Sequence, residues 1–183
     1  MWQRYWDERG RDFTMLAVAQ DVQGEEKVAP VIREREITFP VLIDRNSDLG
    51  GLLEFRVVPS GGFVDAEGIV CYRHVDDFDI GDPRVRVNLE DFLAGREVEL
   101  PDQGEKMSEE ALELFAKGAG LFAKGDPAGA VGIWRQALEH DPDNFVIRSQ
   151  IWAVEHPEHF YPVVDREWQS LQLLKEGYDK PLP

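Results

Sequence analysis

The chain has 183 residues, which suits one domain or one domain with a small appendage, and its hydrophobic content of 43% is enough to build a core. Its formal net charge of −16, from 36 acidic and 20 basic residues, argues against binding to nucleic acid or to an anionic membrane surface. The sequence shows no apolar run of membrane-spanning length and no signal-peptide core after Met1, while the single cysteine, Cys71, excludes an internal disulfide and leaves the compartment open.

The first part of the chain alternates between helical and strand patterns. Trp2, Tyr5 and Trp6 share one helical face, which we interpret as core packing. The apolar run 13–19 is typical of a strand buried on both faces, as in a parallel sheet, and Pro40 favours an edge position for its strand. We predict, in chain order, a helix from Trp2 that Gly10 ends, a strand over 13–19, a helix over 25–36 that Pro30 bends, a strand over 39–43, and a helical turn capped by Ser47 or Asp48.

Residues 56–70 organise this half of the chain. They begin as a loop through Pro59 and continue as an apolar strand over 63–65. Residues 66–68 form a short loop whose last residue, a glycine, suits the left-handed position of a hairpin, and a return strand follows over 69–73. The pattern therefore predicts an antiparallel hairpin.

The motif Val-Val-Pro-Ser-Gly-Gly-Phe-Val-Asp-Ala-Glu-Gly at 57–68 resembles the segment around the cis-proline of thioredoxin-like proteins. The nearest families are the AhpC/TSA redoxins and the TlpA/ResA-type thiol–disulfide oxidoreductases, in which Val-Pro and small polar residues precede a strand ending Asp-x-x-Gly. Gly61 and Gly62 depart from that pattern and leave more room beside Pro59. The resemblance implies a cis bond between Val58 and Pro59 and places these two residues on the substrate side of the site.

The same resemblance implies that this chain lacks the reactive part of the family. Thioredoxin-type exchange needs a nucleophilic thiolate and a resolving thiol, which the family carries in a Cys-x-x-Cys at a helix N-terminus. The matching helix is the one with Trp2, so both cysteines and the central strand before them would precede Met1. Cys71 lies on the return strand, where a lone cysteine is typically a small structural hydrophobe. We therefore predict no catalytic residue, no cofactor and no activity of this chain alone.

The resemblance ends with an acidic loop and one more helix. The spacing of acids over 74–82 does not match a calcium-binding EF-hand loop. Asp82 followed by Pro83 predicts a helix start, and Gly95 predicts its end. The Pro, Gly and acidic residues that follow predict a linker over 97–107, between a partial thioredoxin-like domain over 1–96 and an all-helical region over 108–183.

The helical region resembles one tetratricopeptide (TPR) unit. Small residues let two antiparallel helices approach, and a tryptophan fills the gap between them. The positions that agree are Leu114, Gly118, Leu121, Gly125, Ala130, Trp134, Ala137 and Pro142. Since one repeat rarely stands alone, we expect these helices to dock on the first domain and to bury Trp134 and Trp152.

Two further helices are predicted, with a histidine pair between them. The first covers 145–155 and the second covers 163–177, with Trp168, Leu171 and Leu174 turned inward. His156 and His159 could share a metal on a continuous helix, but Pro157 disrupts that face. We therefore predict a polar turn and no metal site.

The absent central strand leads to a prediction about the sheet. In the redoxin fold it lies between the strands that match 13–19 and 63–65. We expect 13–19 to pair with 39–43 on one side only and to have no direct ladder to 63–65, which leaves Met15, Leu16 and Val18 poorly covered. An open edge of this kind favours association with another copy of the chain.

The sequence thus predicts an incomplete α/β thioredoxin-like fold followed by an all-α TPR-like region, and it leaves two functions open. The chain could belong to the redoxin lineage of oxidoreductases or antioxidant proteins, inactive alone because it lacks the cysteine pair. Alternatively, it could be a non-enzymatic interaction module that holds a protein partner. Members of this family usually work outside the cytoplasm, which leaves localisation open here.

Overall fold

The computed structural model describes residues 1–100, here called the α/β part, and residues 108–178, here called the helical part. In chain order the α/β part contains α1 (Trp2–Arg9), β1 (Ala17–Ala19), α2 (Glu25–Glu34), β2 (Val41–Ile43), α3 (Asp48–Leu52), β3 (Gly61–Val64), β4 (Val70–His74) and α4 (Pro83–Leu93). The helical part contains α5 (Glu109–Ala123), α6 (Pro127–His140), α7 (Phe145–Glu155), a 3-10 turn (Pro157–His159) and α8 (Arg166–Lys175). Most of the predicted linker, 97–107, lies outside the described residues.

The strands β1 and β2 pair in parallel, with Ala17 opposite Val41 and Ala19 opposite Ile43. This pairing confirms the predicted partner of the 13–19 segment, although both strands are shorter than predicted. The prediction that 13–19 is buried on both faces is wrong, because every residue of β1 is half-buried and Leu16 is 50% exposed. A sheet of two short strands offers its neighbours too little area to cover both faces.

The strands β3 and β4 form the predicted antiparallel hairpin, with Phe63 opposite Tyr72. Gly68 takes a left-handed backbone conformation in the connecting loop, with φ of 84°. Within the described residues, β1–β2 and β3–β4 are separate two-stranded sheets, which confirms that no ladder joins β1 to β3.

An aromatic core holds the hairpin against α1 and α4. The rings of Phe63 and Tyr72 stack with centroids 4.4 Å apart, and Phe92 of α4 stacks on Phe63 at 5.3 Å. Tyr5 of α1 is buried in the same cluster, and Leu89 fills it from α4. The aromatic face predicted for α1 is therefore a packing face.

The short helix α3 is capped by a residue that the sequence reasoning missed. The Asp44 carboxylate accepts hydrogen bonds from the backbone N–H groups of Asp48, Leu49 and Gly50. Ser47 occupies the predicted N-cap position, but its side chain makes no capping hydrogen bond, and Asp48, the predicted alternative, is the first residue of α3. Asp44 can cap the helix from four residues upstream because the intervening turn brings its carboxylate back beneath the first turn of α3.

The helices α5 and α6 pack as the predicted antiparallel pair. Trp134 is fully buried against Gly118, and its indole N–H donates to the carbonyl of Phe115 at 3.0 Å. The phenyl rings of Phe115 and Phe122 both stack on the Trp134 ring, with centroids 5.6 and 6.2 Å away. Trp134 and Trp152 are both buried, as predicted. Val22 of the α/β part is buried in the same cluster as the helical part, and this contact confirms that the two parts dock.

One boundary in the helical part agrees with the prediction and one differs. The helix α7 begins at Phe145, as predicted, and Asn144 caps it by accepting from the Ile147 N–H. The last helix begins only at Arg166, after Asp165.

The inward face predicted for α8 is right for Trp168 and wrong for Leu171 and Leu174. Leu171 and Leu174 are 53% and 69% exposed, whereas Gln169 and Leu173 are buried and Trp168 is half-buried. Leu173 joins the core of the helical part, and Trp168 packs edge-on against Trp152 of α7 with ring centroids 5.7 Å apart.

Candidate functional site

The loop that carries Val58 and Pro59 enters β3 and is held by hydrogen bonds. The Phe78 N–H donates to the Pro59 carbonyl at 3.0 Å, and the Ser60 hydroxyl donates to Val57 and accepts from the Asp76 N–H. The Val58–Pro59 peptide bond is cis, as predicted, and both residues are solvent-exposed. Their position on the substrate side of a site stays a prediction from the resemblance.

The thiol of Cys71 lies on β4 and faces an acid. Its sulfur lies 3.5 Å from the Asp65 carboxylate and 3.5 Å from the Ile69 carbonyl. Partial burial, followed by the hydrogen bond to Asp65, raises the pKa of Cys71, so the thiol stays protonated at neutral pH. The reactive nucleophile in thiol exchange is the thiolate, so this environment suits a structural cysteine.

A polar cluster that the sequence reasoning missed lies at the end of β4. The Tyr72 hydroxyl lies 2.9 Å from Nδ1 of His74, two residues further along the strand. Burial, and after it the charge of Asp82, raises the pKa of Tyr72, while the side chain of Arg84 lowers the pKa of Asp82. Side chains at i and i+2 share one face of a strand, which is the signal that could have paired Tyr72 with His74.

The two histidines after α7 pack on a tryptophan. The His159 ring stacks on Trp168 with centroids 4.5 Å apart and lies 3.1 Å from the Asp165 carboxylate, while the His156 ring lies 5.0 Å from Trp168. The backbone N–H of Trp168, followed by His159, holds the pKa of Asp165 below its usual range. Residues 1–100 and 108–178 contain no group of three or more ligand side chains that could hold a metal.

A buried glutamine joins the two parts of the chain. The Gln150 side chain on α7 accepts from the Val22 N–H at 3.0 Å and donates to the Gln20 carbonyl at 2.9 Å. Both contacts lie just beyond the carboxyl end of β1. The Val146 N–H, also on α7, donates to the Arg56 carbonyl at 3.0 Å. The helical part therefore docks through backbone groups of the loops at this end of the sheet.

A tyrosine extends the same contact. The Tyr161 hydroxyl donates to Asp21 at 2.7 Å and accepts from the Gln23 amide, while the Lys27 ammonium lies over the Tyr161 ring at 4.9 Å. Burial, and then the charge of Asp21, raises the pKa of Tyr161, so the hydroxyl remains a donor at all physiological pH.

The strand β1 has one free edge. The Ala17 N–H donates to the Pro40 carbonyl, and the Ala19 carbonyl accepts from the Asp44 N–H, so these two residues face β2. Successive residues of a strand turn their backbone groups to opposite sides, so the N–H and C=O of Val18 face away from β2. No other described strand pairs with that side.

Comparison with family models, with curated proteins and with solved structures returns no match. Among the helices of the described residues, none has the length and apolar character needed to cross a membrane.

Proposed function

We propose that this chain is a non-enzymatic interaction module, in which an α/β part of redoxin lineage and a TPR-like helical part present free strand edges to a protein partner. The partner supplies an extended segment that pairs with β1 beside the exposed Leu16. Backbone hydrogen bonds supply the affinity in this mode of recognition, and alternate side chains supply the specificity.

The order of elements supports the lineage part of the proposal. The α/β part begins with a helix, a strand, a helix and a second strand parallel to the first, and it continues with an antiparallel hairpin and a last helix. The resemblance at 57–68 leads us to expect this order. TPR-like packing of α5 and α6 around Trp134 supports the second part.

The free edge of β1 is the observation that carries the interaction part. An unpaired strand edge is a template for pairing with another chain, and soluble proteins usually protect it with charges, prolines or bulges. Here the residues at the edge are Leu16, Ala17, Val18 and Ala19, none of which is charged. The rigid contact with α7 through Gln150 holds the carboxyl end of β1 in place for such a partner.

Thiol chemistry is not part of the proposal. A redoxin of the oxidoreductase type needs two thiols, and the sequence holds only Cys71. In this proposal the α/β part derives its fold from the redoxins, and its present function is to bind a protein partner.

The experiment that tests this function uses a photoreactive amino acid at position 16. Irradiation in host cells is expected to yield a discrete adduct, whose mass distinguishes a second copy of the chain from a different protein. The matched site is Leu52 on α3, which is 77% exposed and is expected to give no such adduct.

A pair of proline variants makes this test specific to the strand edge. Val18→Pro removes the N–H that faces the free edge, where proline is tolerated, and is expected to abolish the adduct while the chain stays folded. Ala17→Pro removes the hydrogen bond to Pro40 instead and is expected to lower the free energy of unfolding by about 1 kcal/mol. An unchanged adduct in folded Val18→Pro, or no adduct at position 16, would overturn the proposed function.

A further inference from the structure

A pocket lies between the α/β part and α5, away from the free edge of β1. Its volume is about 230 Å³, and its apolar wall consists of Val22, Ala119, Phe122 and Ala123. Val22 and Ala119 are buried and form the floor, while Ala123 is exposed at the rim. The Phe122 ring is stacked on buried Trp134, so this wall is rigid.

One cation faces the apolar wall. Arg45 follows β2 and lines the pocket together with Asn46. Its side chain is exposed, and its guanidinium lies over the Cα of Gly24, where a methyl group would overlap it. The guanidinium N–H groups are therefore open to a ligand in the pocket.

The charge of Arg45 is not neutralised within the described residues, where no carboxylate lies within ion-pair distance of it. This holds although the chain carries 36 acids. One acid in each of the two loops is engaged elsewhere: Asp44 caps α3, and Asp21 accepts from Tyr161 and from the Gln23 N–H. Gln23 in turn donates to Ala153 and Tyr161. A ligand can therefore supply the carboxylate partner that the Arg45 guanidinium lacks within the described residues.

We infer that this pocket binds a small organic carboxylate with a branched or aromatic apolar body. The carboxylate accepts from the Arg45 guanidinium, which offers two parallel N–H donors to such a group, and the apolar body lies against Phe122 and Ala119. The lining combines four apolar residues with Gln23, Arg45 and Asn46, and the volume lies below the range of about 300–1,000 Å³ that is usual for ligand sites, so only a small ligand fits. This inference does not depend on the proposed partner at β1, since the two surfaces share no residue.

The test is a titration of the full chain with 4-methylpentanoate at pH 7, followed by two-dimensional NMR. Binding is expected to shift the side-chain Nε–H signal of Arg45 and the backbone amides of Ala119 and Ala123. The neutral amide of the same acid and acetate, which lacks the apolar body, are expected to bind at least about tenfold more weakly, because each lacks one half of the recognition.

Three variants separate the site from a general effect of charge. Arg45→Gln is expected to weaken binding at least about tenfold, and Ala123→Leu is expected to abolish it by filling the rim from an exposed position. Arg33→Gln removes an equal charge from an exposed residue at the other end of α2 and is expected to leave binding unchanged. Circular dichroism checks that each variant is folded.

Each opposite result overturns the inference. The ligand is added up to 20 mM, on the order of the weakest affinity that a fragment-sized site shows. If the signals of Arg45, Ala119 and Ala123 do not shift by that concentration, the pocket does not bind small apolar carboxylates. Equal binding of the neutral amide, or binding unaffected by Arg45→Gln, means that the cation does not recognise the ligand.

Discussion

Individual side chains in this protein owe their properties to one or two close neighbours. Cys71 is protonated because it is partly buried and faces Asp65, and Glu90 on α4 is held ionised because Tyr5 and Arg9 donate to it. The protonation states of Cys71 and Glu90 therefore depend on these neighbours and cannot be inferred from the residue type alone. Each yields a prediction that a single substitution tests.

The first prediction concerns Cys71. In an insulin-reduction assay with dithiothreitol, the chain alone is expected to show no turnover above background, and Cys71→Ser is expected to change nothing. Because the pKa of Cys71 is raised, iodoacetamide should also alkylate this thiol at pH 8 more slowly than it alkylates a free cysteine. Turnover that disappears in Cys71→Ser would contradict the structural role.

The second prediction concerns pH. The Tyr5 hydroxyl donates to Glu90 at 2.7 Å and Arg9 donates at 2.9 Å, and these bonds lower the pKa of Glu90, the tyrosine contributing most. A carboxylate whose folded-state pKa is lowered stabilises the fold above its unfolded-state pKa of about 4.3 and loses that contribution as the pH falls. Glu90→Gln is therefore expected to cost about 1 kcal/mol at pH 7 and less at pH 3, which lies below the unfolded-state pKa.

Urea unfolding of both proteins at the two pH values measures this difference. The control is Glu34→Gln on α2, an exposed acid, for which we expect no pH-dependent difference. An equal cost of Glu90→Gln at pH 7 and pH 3 would show that the carboxylate charge does not contribute.

At the scale of elements, helix contacts depend on the size of single residues. The helices α5 and α6 approach closely because Gly118 leaves room for the indole of Trp134, and a methyl group at position 118 would overlap that indole. Gly120, two residues further along the same helix, provides a contrast, since a methyl group there meets nothing within 4 Å.

The third prediction uses this contrast. Gly118→Ala is expected to lower the free energy of unfolding by about 1–3 kcal/mol, because Trp134 must move from a tightly packed position. Gly120→Ala is expected to raise it by about 0.5–1 kcal/mol, because alanine loses less conformational entropy in a helix. Thermal unfolding followed by circular dichroism measures both, and a stabilising Gly118→Ala would show that the two helices are not packed as described.

At the scale of the whole molecule, the two parts behave as one body because polar groups cross between them. Gln150 is only 7% exposed, and it satisfies the Val22 N–H and the Gln20 carbonyl together. Burial of Val22 in the core of the helical part adds an apolar contact to this pair.

The fourth prediction tests that coupling. The chain is expected to unfold in urea in a single transition, and Gln150→Ala is expected to cost about 2–4 kcal/mol, because two buried backbone groups lose their partners. With that contact weakened, circular dichroism and tryptophan fluorescence should report separate transitions. The matched control is Gln172→Ala on α8, whose amide donates to Glu176 at the surface and whose loss should leave one transition.

Local sequence was sufficient to predict most element types and several of their ends. Asp82 with Pro83, and Asp126 with Pro127, start helices because their side chains cap the first turn and their prolines need no N–H partner there. The hairpin at Gly68 and the close approach at Gly118 were also predicted, because only glycine fits either position. These features depend on neighbours in sequence or on one residue's size.

Features that depend on contacts between distant segments could not be predicted. The sequence of α8 offers two apolar stripes, and only its packing on the core of the helical part buries Leu173 and leaves Leu171 exposed. The pocket at Arg45 likewise requires that the turn after β2, the start of α2 and the helix α5 meet. The spacing of residues within one segment carries no information about contacts between segments. The free energy that decides those contacts comes from surfaces that are brought together only when the chain folds.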